Sequence, residues 1–356
     1  MPDTPNGPRP SEFPEAAPHN AASSASPPVL SIVIVNWNTA DLLDACLASI
    51  YRYTAGIYFE IIVFDNASAD HSREVLGKYP EVSAIFHPEN IGFAAGNNRA
   101  AECARGEFLL LLNPDTEIRD NIFPEIIAYL KESPYRVLGP RLLLPDGSVQ
   151  MTSGNFPGLW RMLVQNIYSF LKMLRLSALI PFLALLSRVP AGQFSGMGRW
   201  WDPEQVHPVD WVSGACMLLR RDDFMTVGRF DEDFTLYAEE FELCYRLAKA
   251  GKTAVYYGRV AALHHSAAST RQFRERSHIL RTQAMLRFYE KFRPGAEVLV
   301  YRLVVIVANV LGAIWHQLLA LPATGENRET HLRYARTYWQ VTQIYAGWVR
   351  QVKLPG

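Results

Sequence analysis

Three short runs put carboxylates, carboxamides and glycines where strongly apolar segments stop: DNASAD (Asp65 to Asp70), NIGFAAGNNRA (Asn90 to Ala100) and LLLLNPDT (Leu109 to Thr116). A carboxylate such as Asp65 can accept a hydrogen bond from the imide N–H of a pyrimidine, and the small residues beside it, with Asn66 and Ser68 in the same run, let a base and ribose approach the backbone. Gly92 and Gly96 permit tight turning and close backbone approach, while Asn90 and Asn98 offer donors and acceptors to a ribose or phosphate. Asp115 differs in kind. A carboxylate at the end of a buried apolar strand is costly unless paired or metal-bound, so it is a candidate to hold Mg²⁺ or Mn²⁺ against a diphosphate.

The elements that position these residues follow from the hydrophobic pattern. LSIVIVNWN reads as a strand, about Thr39 to Tyr51 as a helix, EIIVFDNAS as a strand, and the stretch around His71 to Lys78 as a helix. A third unit follows, with VSAIFHP as a strand, GNNRAAECAR as a helix and GEFLLLLNPDT as a buried strand ending in polar residues. This βαβ rhythm predicts a parallel sheet of the α/β class. Ligands of open α/β sheets collect outside the carboxyl ends of the strands, so the tips VNWN, DNAS and NPD are expected to line one crevice.

A second set of blocks lies downstream: VDWVSGACMLLRR (Val209 to Arg221), GRFDEDFTLYAEEFELCYRL (Gly228 to Leu247) and LHHSAAST (Leu263 to Thr270). In the middle block FDEDF leads into a helix bearing Glu239, Glu240 and Glu242, where the helix dipole favours negative charge. In order and content, the six blocks resemble glycosyltransferase family 2, in particular its bacterial rhamnosyltransferase-like branch, over about residues 30–295. The resemblance implies a GT-A fold, a mostly parallel nucleotide-sugar-binding sheet flanked by helices, and inverting transfer of one sugar from a nucleotide diphosphate. It implies that Val35, Asn36 and Trp37, together with Asp65 and the Asn90 to Asn98 loop, embrace the nucleotide. Asn113-Pro114-Asp115 takes the place of the DxD metal motif with only its last acid kept. The family's E-D-x-D pattern puts the general base at Glu240, where many members carry Asp, with Glu239 as second choice. Glu242 fills the third acidic position, set to orient Arg246 or the acceptor, and Trp211 and Gly214 fall in the acceptor-side block. His264 occupies the histidine of H-x-G-G-x-S, with Ser269 in the final place and Ser266 and Ala267 for the glycines. It would complete the metal shell or bond the leaving diphosphate, and His265 could take the same role. Arg271 and Arg274 could clamp a diphosphate. The implied donor is dTDP-L-rhamnose and the implied acceptor a polyprenyl-diphosphate-linked sugar or a growing cell-surface polysaccharide. No Q-x-x-R-W motif is present, which points away from a processive synthase.

The remaining text bounds the setting. With 35 basic and 35 acidic residues the chain has no net charge, so nothing global suggests nucleic acid as a partner. Four scattered cysteines without metal spacing suit buried thiols in a reducing, cytoplasmic compartment, and no secretory signal pattern is visible. Residues 1–28, rich in Pro, Ala, Ser and Asn, are expected to be a disordered tail ahead of a catalytic domain at 29–295. An insert at about 156–200 holds no acid between Asp146 and Asp202, while Arg161, Lys172, Arg175, Arg188 and Arg199 punctuate an apolar run suited to an anionic membrane interface. Residues 296–356 read as a helical region. Its stretch Val298 to Ala320 is nearly long enough to span a bilayer, but Arg302, Asn309 and His316 favour peripheral attachment at the inner membrane face. Two other classes stay open. A nucleotidyltransferase would need a basic phosphate-gripping start that SIVIVNWNTAD lacks. A membrane-docked nucleotide-sugar-binding scaffold would be consistent with Glu240 in place of Asp and with the missing glycines after His264.

Overall fold

The computed structural model describes residues 27–156, 158–173, 179, 202–234, 238–265 and 274–348. Residues 1–26 of the expected tail lie outside the described residues, as do Arg175, Arg188 and Arg199 of the insert, Ser266, Ala267, Ser269 and Arg271, and the side chains of Arg161 and Arg274. The first half forms as the pattern predicts. Strands β1 (Leu30–Asn36), β2 (Phe59–Asn66), β3 (Ser83–His87) and β4 (Phe108–Leu112) alternate with helices α1 (Ala40–Tyr53), α2 (Ser72–Leu76) and α3 (Phe93–Glu102). They pair in parallel in the order β3-β2-β1-β4, with Asn36 level with Asp65 and Ile34 level with Leu112. The three polar tips therefore end on one edge.

Beyond β4 the sheet is mixed. It continues with β5 (Thr116–Ile118), β6 (Val137–Leu143), β7 (Val149–Gln150), β9 (Val206–Val209), β11 (Cys216–Arg220) and β12 (Ala254–His264). Strand β11 runs antiparallel to β4 and β6, and β12 lies parallel to β6 and antiparallel to β5, giving the order β4-β11-β6-β12-β5. The pairing of β11 with β6 covers Val137 and Leu138, whereas β7 pairs with Leu142 and Leu143. A separate two-stranded ribbon joins β8 (Ser153–Gly154) to β10 (Trp211–Val212).

Alternation along the strands sends side chains to two cores. Leu30, Ile32 and Ile34 pack with Leu43, Leu47 and Ile50 of α1 and with Phe123, Ile126 and Leu130 of α4 (Phe123–Glu132). Val33 and Val35 face Ala94, Ala100 and Ala101 of α3, with Phe224 of α6 (Arg221–Thr226) and Leu243 and Leu247 of α7 (Glu239–Lys249). A third cluster covers the outer side of α7. Phe241 and Tyr245 meet Phe288 and Tyr289 of α8 (Arg274–Phe292), Tyr301 and Val305 of α9 (Gly295–Ala320), and Val341, Ile344 and Tyr345 of α10 (Gly325–Tyr345).

The insert contributes α5 (Leu159–Met173), which lies against α9. By length and composition α9 is long and apolar enough to cross a membrane. The three polar residues expected to disfavour a span all turn toward protein. Arg302 pairs with Glu290 and the Tyr345 carbonyl, the buried Asn309 donates to the Val305 carbonyl, and His316 meets His331 at 3.0 Å. The opposite side of α9 exposes Leu299, Leu303, Val307, Leu311, Ile314 and Leu318.

Candidate active site

At the tips of β1 and β2, side chains stitch the loops together. The Asn36 amide nitrogen lies 2.9 Å from Asp65 Oδ2, 3.1 Å from Ser68 Oγ and 2.9 Å from Ser72 Oγ. The other oxygen of Asp65 accepts from the Ser68 backbone N–H at 3.0 Å, so each carboxylate oxygen keeps a lone pair for a further donor. Trp37 stands exposed beside this corner. Asn66 links to the third loop, accepting from the Ile91 N–H at 2.8 Å and donating to the Gly92 carbonyl at 3.2 Å. Gly92 caps α3 with φ at +90°, a conformation that L side chains rarely adopt, and Asn90 accepts its N–H at 3.0 Å.

Several residues expected around the nucleotide are turned to other work. A Cβ on Gly96 would meet Val35 and the Phe64 ring at 3.0 to 3.2 Å, so this glycine and Val35 serve close packing of α3 on the sheet. Asn98 is drawn the opposite way. Its amide donates to the Phe230 carbonyl and Glu232 and accepts from the Phe230 N–H, which fastens α3 to the 228–234 loop. Glu242, expected to orient Arg246 or the acceptor, is wholly buried and takes the first of these roles. It forms a two-pronged pair with Arg246 and a bond from Lys291 at 2.7 Å, and Arg246 in turn holds the Val227 and Arg229 carbonyls. A buried carboxylate needs such charged partners, and two cations leave Glu242 to organise the loop, with no face for an acceptor.

On the other side of β1 the metal candidates converge. His264, the last residue of β12, brings Nε2 to 3.1 Å from Asp115 Oδ1 and 3.5 Å from the Asn113 amide nitrogen. Antiparallel pairing of β12 with β5 creates this meeting, since His264 is level with Thr116. His265 points elsewhere, to Glu117 at 2.5 Å. Nδ1 of His264 donates to Gln150 Oε1 at 2.7 Å, a contact without a signal in the sequence beyond the LPDGS turn that precedes β7. Phe93 and Ala238, which matter next, lie inside the Asn90 to Ala100 and Gly228 to Leu247 blocks, but the motifs assign neither a role.

The turn Ser213-Gly214-Ala215 joins the two sides. The Ala215 carbonyl accepts the Asn113 N–H at 3.0 Å and the Thr116 hydroxyl at 3.2 Å. A Cβ on Gly214 would lie 3.5 Å from the Phe93 ring at the start of α3 and 3.8 Å from Glu240 Cβ. Trp211 sits just ahead, its ring edge-on to Phe241 at 6.0 Å. Glu239 and Glu240 open α7 directly after Ala238, whose φ of +67° is costly for a residue with a Cβ. Each glutamate has one oxygen buried without a hydrogen-bond partner among the described residues. Burial, and for Glu239 the neighbouring Glu240, holds both carboxyls above the usual carboxylate range, with Arg281 of α8 partly opposing the rise at Glu240. The Asp115–His264 corner and Glu240 thus lie on either side of one turn, the first a pair of potential cation ligands and the second a carboxyl with raised proton affinity.

Residues 31–192 match the model of glycosyl transferase family 2. The N-acetylglucosaminyl-diphospho-decaprenol L-rhamnosyltransferase of Mycobacterium tuberculosis is 29% identical, across 68% of this chain and 78% of its own length. The rhamnosyltransferase WbbL of Escherichia coli is 24% identical, across 68% of this chain and 85% of its own. Among solved structures, GalNAc-T7 with UDP, GalNAc and Mn²⁺ aligns with a TM-score of 0.52 at 15% identity, over 90% of this chain and 58% of that one, which supports the fold alone. With its parallel first half, its mixed second half and these relatives, the chain carries a glycosyltransferase family 2 domain over residues 31–192 and is a glycosyltransferase of GT-A fold.

Proposed function

We propose that the protein transfers one L-rhamnosyl unit from dTDP-L-rhamnose, with inversion, to a polyprenyl-diphosphate-linked or polysaccharide acceptor at the cytoplasmic face of the membrane. The two rhamnosyltransferase relatives support the sugar, and the name of the mycobacterial one supports a lipid-linked acceptor. The exposed apolar side of α9 supports a membrane surface as partner. The observation that carries the mechanism is the 213–215 turn, which holds Asn113 on one side and seats Gly214 against Glu240 on the other.

Asp65 and the Asn36 corner receive the nucleoside, with Trp37 beside them. Asp115 and His264 fit a divalent ion, Mg²⁺ or Mn²⁺, because a carboxylate oxygen and an imidazole nitrogen face each other at 3.1 Å. Bound there, such an ion would neutralise charge building on the leaving diphosphate. Glu240 accepts the proton of the acceptor hydroxyl as its oxygen bonds to the anomeric carbon and the bond to the diphosphate breaks, so the carbon inverts without a sugar–enzyme intermediate. The raised affinity of Glu240 for a proton makes it a stronger base than an exposed carboxylate.

The test is release of nucleotide diphosphate from a panel of thymidine, uridine and guanosine diphosphate sugars with Mn²⁺ or Mg²⁺. Release from dTDP-L-rhamnose is expected, dependent on metal, and lowered by about 10² or more in Glu240→Gln and in Asp115→Ala. Tight donor binding without release, even with lipid-linked acceptors added, would overturn the enzymatic reading of this site.

A further inference from the structure

We propose that Gln150 is a positioning residue that fixes His264 as its Nδ1–H tautomer, and so keeps the Asp115–His264 pair open to a divalent cation. The inference rests on the metal reading above. It starts from an inventory of protons and lone pairs. A neutral imidazole has one N–H and one lone pair, and the hydrogen bond made by one nitrogen settles which is which. Gln150 Oε1, a carbonyl oxygen, lies 2.7 Å from Nδ1, so Nδ1 carries a hydrogen, and in the neutral ring that a metal ligand requires Nε2 is left with the lone pair. Nε2 lies 3.1 Å from Asp115 Oδ1, with the Asn113 amide nitrogen at 3.5 Å as the neighbouring donor. Two electron-rich atoms at that separation attract a cation between them. Without Gln150 the same imidazole can place its hydrogen on Nε2 and donate it to Asp115, a closed bond that would consume both ligands.

The fold delivers Gln150 by design of its strands. Residues Asp146 to Ser148 form a tight turn, in which Asp146 accepts from the Ser148 N–H and Gly147 has φ at +80°, and the turn returns the chain along β6 as β7. Gln150 is thereby set level with Leu142, while Leu143 of β6 is level with Leu263, the neighbour of His264. The glutamine reaches the histidine across the intervening strand. The same segment then runs past the acceptor side. The Thr152 carbonyl accepts the Ser213 N–H at 2.7 Å, and Phe156 packs on Phe241 and Tyr245 of α7. One stretch of seven residues, 150 to 156, thus touches the metal corner, the Gly214 turn and the helix of the glutamates.

The test separates this assignment from the metal reading it rests on. Calorimetry measures thymidine diphosphate binding to the full chain with and without Mn²⁺, for wild type, Asp115→Ala, Gln150→Leu and Gln150→Glu. Mn²⁺ is expected to tighten binding in wild type and not in Asp115→Ala. Gln150→Leu is expected to reduce the Mn²⁺-dependent gain by roughly 10- to 100-fold while leaving metal-free binding unchanged, and Gln150→Glu, which keeps an acceptor, to retain the gain. Nitrogen-15 spectra of the histidines supply a readout independent of any ligand: Nδ1–H for His264 in wild type and in Gln150→Glu, Nε2–H in Gln150→Leu. No Mn²⁺ effect in wild type would overturn the metal reading and this assignment together. A full Mn²⁺ gain in Gln150→Leu, or an unchanged tautomer, would overturn the role of Gln150 and leave the metal site standing.

Discussion

Glu239 and Glu240 are side by side at the start of α7, each with an oxygen that finds no partner among the described residues. Burial first, and mutual repulsion second at Glu239, raise their affinity for a proton in the fold above that in the unfolded chain. The fold thus binds the proton more tightly than the unfolded chain does. The stability tied to this protonation is fully present below the ordinary carboxylate pKa and is lost as pH rises through the raised values. Glu239→Gln, neutral at every pH, should therefore raise the melting temperature at pH 8, on the order of 2 °C for each kcal/mol of relieved repulsion and burial, and leave it nearly unchanged near pH 4. A gain equal at both pH values would show that the substitution acts through packing and not through charge. Donor turnover in wild type should fall as pH is lowered, with its limb above the range of an exposed carboxylate, since Glu240 must be ionised to take a proton. What the sequence told of these residues depended on how local their partners are. The acids of α7 were legible as a run, and Glu242 with Arg246 as an i,i+4 pair. Lys291, 49 positions away, and Gln150, 114 positions from His264, join only through the fold, so no spacing announces them.

At the scale of elements, legibility follows the length of the uninterrupted pattern. β1, β2 and β4 are five to eight residues of almost continuous apolar text ended by polar tips, because each is buried on both faces. β7, β8 and β10 are two residues each, too short to carry any period, yet they place Gln150, Gly154 and Trp211. α9 gave a third kind of signal: its apolar length was plain, but the side its polar residues take was not. With Arg302 and His316 turned to α8 and α10 and Asn309 buried, the exposed ridge from Leu299 to Leu321 runs roughly 33 Å without a charge, given 1.5 Å per helical residue. Trp160 and Ile167 of the neighbouring α5 are exposed as well. Such a ridge suits the acyl boundary of a bilayer. Wild type should float with anionic vesicles, and Leu303→Glu with Ile314→Glu should cut that partition tenfold or more while shifting stability little, both sites being on the surface. Wild type remaining in the soluble fraction would assign the ridge to a protein contact instead.

Taken whole, the molecule does not hang its C-terminal helices on the sheet as a separate anchor. The helix that carries the two glutamates is sandwiched. Its inner side, through Leu243 and Leu247, packs on the sheet, and its outer side, through Phe241 and Tyr245, packs on α8. The Phe288 ring centre is 4.7 Å from that of Phe241 and 5.0 Å from that of Tyr245, Tyr289 stacks on Tyr301 at 4.1 Å, and the Tyr301 and Tyr345 hydroxyls meet at 2.8 Å. A rigid aromatic path therefore runs from the glutamates to the base of the apolar ridge. Removal of residues 296–356 would strip Tyr301, Val305, Val341, Ile344 and Tyr345 from this cluster and expose Phe288 and Tyr289, which are now fully buried. The shortened chain should lose donor turnover in detergent-free solution along with its membrane partition, and Phe288→Ala, which empties the centre of the cluster in the full-length chain, should cost about 3–5 kcal/mol. The pairing with the ridge variant makes the outcome decisive. Leu303→Glu with Ile314→Glu removes lipid contact and keeps the cluster, so its turnover on a soluble donor should match wild type. Normal turnover and melting in the shortened chain would show instead that α7 holds the glutamates from the sheet side alone.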